Sequence, residues 1–151
     1  SYAAADPRAF EEQIKSTGFY RSKTKSLLWA TTRIVNEFQG KVPDTMEELH
    51  TLPGVARKSA NFVLGNAFGK NVGIPVDTHV TRLSQRLHLT RHKDNSGDKI
   101  EKDLTALVHR KEWTGFGNRL ILHGRLICHG RRPDCSGCVI KESCPSAFTI
   151  A

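Results

Sequence analysis

Cys128, Cys135, Cys138 and Cys144 are the only cysteines in this chain of 151 residues, and all four fall in its last quarter. Their spacing is Cys-x6-Cys-x2-Cys-x5-Cys. Thiols this close in sequence suit an iron–sulfur cluster, a zinc site or two disulfides. Structural zinc is usually held by two close pairs, and only Cys135 and Cys138 form one here. Ser1 to Phe10 lack the basic flank and apolar stretch of a secretory signal, and no cysteine lies elsewhere. Both features point to a reducing compartment and count against disulfides. Cluster, zinc and disulfides all stay open on spacing. Between Cys128 and Cys135 run His129, Gly130, Arg131, Arg132, Pro133 and Asp134. Adjacent arginines on such a loop either face phosphates or form a solvated basic turn.

A second group of residues sits near the middle of the chain. Thr45 and Glu48 form a capping box for a short helix bearing Met46 and Leu49. Leu52, Pro53, Gly54 and Val55 break it, and a new helix runs to about Ala67. Helix, Leu-Pro-Gly-Val turn, helix: this is a helix–hairpin–helix, spanning about residues 45–68. Gly54 permits a backbone conformation that a Cβ obstructs. The turn leaves amides free at the start of the second helix, beside Arg57 and Lys58. Those amides and the positive helix end suit one DNA phosphate, a contact that positions without reading sequence. The bland alternative is a helical corner with no ligand. Asp77 stands where an N-cap belongs. His123, on an apolar helix, fits a structural hydrogen-bonding role, and His79 is placed to orient the turn after Asp77. No set of histidines suggests a second metal site.

The elements that must position these groups read as helices throughout, so the expected class is all-α. Asp6 and Pro7 open a helix with Phe10 and Ile14 on one face. Another runs from about Ser22 to Phe38, with Leu27, Thr31, Ile34, Val35 and Phe38 along one side and Gly40 at its end. Gly65 and Gly69 weaken the end of the hairpin's second helix. After an extended link, Val80, Leu83 and Leu87 recur at helical spacing. Ile100, Leu104, Leu107 and Val108 mark a further helix, and a last one covers about Gly117 to Ile127. The division expected is a helical core over 1–110 and a lobe over 111–151, holding the last helix and the cysteines. Lys and Arg number 23 against 15 Asp and Glu, a net charge of +8 that calls for a polyanionic partner. No run of 18 apolar residues is present, so no membrane span is expected.

Taken in order, these segments resemble the endonuclease III family of DNA glycosylases. The similarity rests on Leu52-Pro53-Gly54-Val55-Ala56-Arg57-Lys58-Ser59-Ala60-Asn61, on Val76-Asp77-Thr78-His79-Val80, on Leu120-Ile121-Leu122-His123-Gly124-Arg125, and on the four-cysteine tail. It runs from about Phe10 to Pro145. The resemblance implies a helix–hairpin–helix glycosylase core with a C-terminal [4Fe–4S] cluster held by Cys128, Cys135, Cys138 and Cys144. It implies Lys58 as the amine nucleophile and Asp77 as the catalytic carboxylate. It implies DNA contacts from Gly54, Ala56, Arg57, Arg131 and Arg132, with Phe19 as the apolar wedge entering the duplex. Phe19 stands where the family often has leucine, and Ala56 where it commonly has glycine; both departures are expected to matter little.

The implied activity is base excision repair: removal of oxidised pyrimidines from damaged double-stranded DNA, with strand cleavage at the abasic site through a lysine Schiff base. Two other functions compete. An adenine mismatch glycosylase shares the hairpin and cysteines, but that branch usually lacks the lysine and carries a further C-terminal domain. A truncated, non-catalytic DNA-binding form is the other. Family members carry a further N-terminal segment before the point matching Ser1, so this chain is expected to be part of a longer protein, a monomer when complete. Faces carrying Leu27, Val63, Leu64 and Leu83 are then expected to be partly uncovered. The expected location is the cytoplasm or nucleoid of a prokaryote, or the nucleus or mitochondrion of a eukaryote.

Overall fold

The computed structural model describes residues 2–150. Among them every regular element is helical: seven α-helices joined by short 3₁₀ turns and loops, as the all-α expectation requires. None of these helices is long and apolar enough to cross a membrane. The chain divides between Ala60 and Asn61 into two compact units.

The first unit holds α1 (Pro7–Ile14), α2 (Tyr20–Glu37), α3 (Met46–Thr51) and the opening of α4 (Arg57–Phe68). Asp6 caps α1, its Oδ1 accepting from the Ala9 amide at 2.8 Å. Thr45 caps α3: its hydroxyl accepts from the Glu48 amide at 3.3 Å and donates to the Glu48 carboxylate at 2.8 Å. Phe10, Ala30, Leu49 and Leu52 are buried in this unit. The face of α2 that carries Leu27 is partly uncovered, as expected, and the buried positions lie elsewhere on the helix. Thr24 and Ala30 are buried, whereas Leu27 and Val35 are 46% and 50% exposed. Leu27 to Ala30 are consecutive apolar residues and cover the whole helix circumference, so periodicity alone picks no face. One close approach is visible at Ser26, whose Cβ faces Gly54.

The second unit holds the rest of α4, then α5 (Thr78–Arg86), α6 (Gly97–Leu107), α7 (Trp113–Leu126) and the cysteine segment. Its core is Ile74, Val80, Leu83, Ile100, Leu104 and Leu120, with α5 packed on both α6 and α7. Leu64 and Leu83, expected to be partly uncovered, are 0% and 1% exposed. Leu107, one of the apolar residues that mark α6, is exposed at the last position of that helix. α4 continues through Gly65 to Phe68. Gly65 is also a point of close approach: a Cβ there runs into the Thr114 side chain. The last helix starts at Trp113, earlier than its glycines suggest. Asn71 Oδ1 accepts from the Thr114 amide at 3.0 Å and its hydroxyl at 2.6 Å, and Trp113 Nε1 donates to Val108 O at 2.9 Å. These contacts fix the first turn against the glycines' freedom.

Candidate functional site

The candidate residues fall in both units. Phe19, Gly54, Ala56, Arg57 and Lys58 belong to the first. Asp77, Arg131, Arg132 and the cysteines belong to the second.

In the first unit, the turn between α3 and α4 is built on Gly54 at φ +79°. A left-handed backbone there favours glycine, and space demands it too: a Cβ lies 2.8 Å from Ser26 Cβ of α2. The Val55 amide closes the turn on Leu52 O at 3.1 Å, and the Ala60 amide bonds Ala56 O at 3.0 Å. The amides of Arg57, Lys58 and Ser59 therefore precede the helical ladder, as the opening amides of any helix do. The side chains of Arg57 and Lys58 are exposed on this first turn. Phe19 caps α2 in a left-handed conformation, φ 57°, ψ 31°, and its ring is 89% exposed. A bulky aromatic residue in that region of backbone space, with almost none of its ring packed, carries local strain without a packing return.

In the second unit, Asp77 caps α5. Its Oδ1 accepts from the His79 amide at 2.9 Å and the Val80 amide at 2.8 Å. Both bonds use one oxygen, so the cap leaves Oδ2 for other work. Half-buried Arg82, one turn on, donates from Nη2 to His79 Nδ1 at 3.1 Å, to Gly124 O at 2.8 Å and to Cys128 O at 2.9 Å. The expected role of His79 beside Asp77 thus has a physical form: its amide bonds the carboxylate and its ring is held by Arg82.

The cysteines are unpaired, half-buried thiols. All four line one largely apolar pocket beside Leu83, Leu87 and Ile127. Among the described residues, no three His, Cys, Asp or Glu side chains converge closely enough to hold a single metal ion. Two sulfurs have polar neighbours. Arg86 Nη1 donates to Cys128 Sγ at 3.1 Å, and His123 Nε2 lies 3.5 Å from Cys138 Sγ. His123 is a structural hydrogen-bonding residue in this sense.

The loop from Cys128 to Cys135 is closed at its base by the Asp134 amide on Ile127 O at 3.0 Å. Asp134 also accepts from the Gly137 amide and the Ser136 hydroxyl, each at 2.9 Å. The Gly137 amide first, then the Ser136 hydroxyl, hold this carboxyl below the usual carboxylate range. Arg131 and Arg132 stand exposed at the far end of the loop, Arg132 at φ 50°. Sequence reading missed Arg82 and Arg86. Their spacing of four on one helix was visible, but their partners lie 42 to 46 positions later.

A family model described as HhH-GPD superfamily base excision DNA repair protein matches residues 1–110. The endonuclease III of Synechocystis sp. is 51% identical over 145 residues, covering 96% of this chain and 65% of that protein. The chain thus spans about 65% of the length of that curated relative. Two solved structures superpose with a TM-score of 0.88 at 36% identity, covering 98% of this chain and 68% of theirs. One is a non-covalent endonuclease III–DNA complex, the other a trapped endonuclease III–DNA covalent intermediate, the estranged-adenine complex.

Proposed function

Because this chain belongs to the HhH-GPD superfamily of base excision DNA repair proteins, and within it to the endonuclease III family, we propose that it serves base excision from duplex DNA. Its substrate is an oxidised pyrimidine, and strand cleavage at the resulting abasic site follows. The observation that carries this reading is Lys58: an exposed amine on the first turn of the helix that the Gly54 turn opens. In that place the amine lies beside helix-opening amides suited to a phosphate.

The target nucleotide must leave the stack before its anomeric carbon is accessible. Phe19, aromatic and 89% exposed, suits the space the nucleotide vacates. Unprotonated Lys58 attacks C1′. The bond from C1′ to the base breaks, and the base leaves with the bonding pair and takes up a proton. Asp77 Oδ2, not used by the helix cap, stabilises the positive charge that develops on the sugar. The amine passes one proton to the ring oxygen O4′ as the C1′–O4′ bond breaks, giving a protonated Schiff base. Loss of a C2′ proton then expels the 3′ phosphate oxygen, and water releases the lysine.

The cysteines fit a [4Fe–4S] centre. Four thiols lining one largely apolar pocket supply the ligand set that such a cluster takes. When bound, the cluster supplies a cross-link between the end of α7 and the C-terminal segment. Arg131 and Arg132, displayed between its first two ligands, contact phosphate.

Borohydride reduces a Schiff base to a stable amine and so tests the chemistry. Trapping on DNA carrying an abasic site or thymine glycol is expected for the protein and not for Lys58→Ala. Equal trapping by the variant assigns the nucleophile to another amine.

A further inference from the structure

Arg86 makes an unusual set of contacts. Its Nη1 donates to Cys128 Sγ at 3.1 Å and to His129 O at 2.6 Å, and its Nη2 donates to Gly130 O at 2.9 Å. One half-buried guanidinium thus holds a sulfur and the carbonyls of the next two residues. Neighbouring Arg82 touches Cys128 only through the carbonyl, at 3.2 Å from Nε and 2.9 Å from Nη2. Among the described residues, no other cysteine sulfur receives a hydrogen bond from an arginine. Arg86 also lines the pocket that the four thiols share.

A guanidinium is always charged and only donates, so the sulfur accepts, and a thiolate accepts far better than a thiol. Hydrogen bonds to sulfur and nearby net charge are the protein's means of setting the potential of an iron–sulfur centre. We infer that Arg86 is a positioning residue for this centre: it aims Cys128 into the pocket and, through its bond to Sγ, raises the centre's reduction potential. This rests on the reading that the cysteines hold a cluster. Reduction adds one electron to the cluster. A fixed positive charge on a ligand sulfur stabilises that added negative charge, so removing it lowers the potential. Arg82 shares the helix, the charge and the Cys128 backbone, but not the sulfur, and serves as its natural control.

The test measures iron, acid-labile sulfide and the midpoint potential of the purified protein and of Arg86→Gln, Arg86→Lys and Arg82→Gln. The wild type is expected to contain both iron and sulfide. Arg86→Gln is expected to lower the reduced fraction at a fixed potential roughly tenfold, about 59 mV for a one-electron couple. Arg86→Lys, which keeps the charge, is expected to recover most of that shift, and Arg82→Gln to move the midpoint less than Arg86→Gln. If Arg86→Gln loses iron while Arg82→Gln keeps it, and Arg86→Lys restores it, the positioning role stands on metal content. An unmoved midpoint in both Arg86 variants with the cluster intact, or an equal shift in Arg82→Gln, overturns the inference. A wild type without iron and sulfide overturns the cluster reading, and this inference with it.

Discussion

The cap that Asp77 forms and the catalytic role proposed for it are separated by one substitution. As a cap it needs only an acceptor oxygen, and Asn supplies one nearly as well as Asp. As a stabiliser of positive charge on the sugar it needs the negative charge, which Asn lacks. Asp77→Asn is therefore expected to unfold within about 0.5 kcal/mol of the wild type while its single-turnover excision slows by orders of magnitude. Asp77→Ala is expected to lose about 1 kcal/mol of stability as well. Denaturant unfolding and rapid-quench excision measure the two effects independently. Excision by Asp77→Asn at the wild-type rate reduces Asp77 to a helix cap. The cap was legible in the sequence because a short acidic residue before Val80, Leu83 and Leu87 marks a helix start. The restraint from Arg82 on His79 was not, since it depends on a helix packed from much later in the chain.

The hairpin is the element on which Lys58 depends, and its geometry is sensitive to one atom. Gly54 has φ +79°, and an added Cβ meets Ser26 Cβ at 2.8 Å. Backbone strain and the clash act together, so Gly54→Ala is expected to destabilise the protein by about 1–3 kcal/mol. Its affinity for undamaged duplex is expected to fall with it, because the amides that face the phosphate shift. Thermal unfolding together with a filter-binding titration checks both; unchanged stability removes the steric account of this glycine. Element positions were largely legible from caps and apolar spacing, as in the Asp6, Thr45 and Asp77 starts. What was not legible is how helices choose faces. The run Leu27 to Ala30 offers apolar side chains all round, and the close packing at Ser26, Thr24 and Ala30 shows only in three dimensions. Gly65 shows the same limit: a glycine in a helix signals weakness in one dimension and contact with Thr114 in three.

At the scale of the molecule, the net charge of +8 bears on the proposed encounter with DNA. Each phosphate contact releases counterions, so affinity falls with salt in proportion to the number of contacts. Arg131 and Arg132 stand on a loop whose base is closed by Asp134 and anchored by Arg86, so replacing both by alanine leaves the loop's supports in place. The double variant is expected to bind more weakly, with a log–log salt slope shallower by about 2 and no change in base preference. A slope equal to the wild type's, with iron content unchanged, returns both residues to a solvated turn. The central claim, however, is covalent chemistry at one amine. Its most direct test is to trap the protein on thymine glycol DNA with borohydride, digest the complex, and locate the nucleotide adduct by mass spectrometry. The account predicts the adduct on Lys58. An adduct on any other lysine, or on the N-terminal amine, contradicts it.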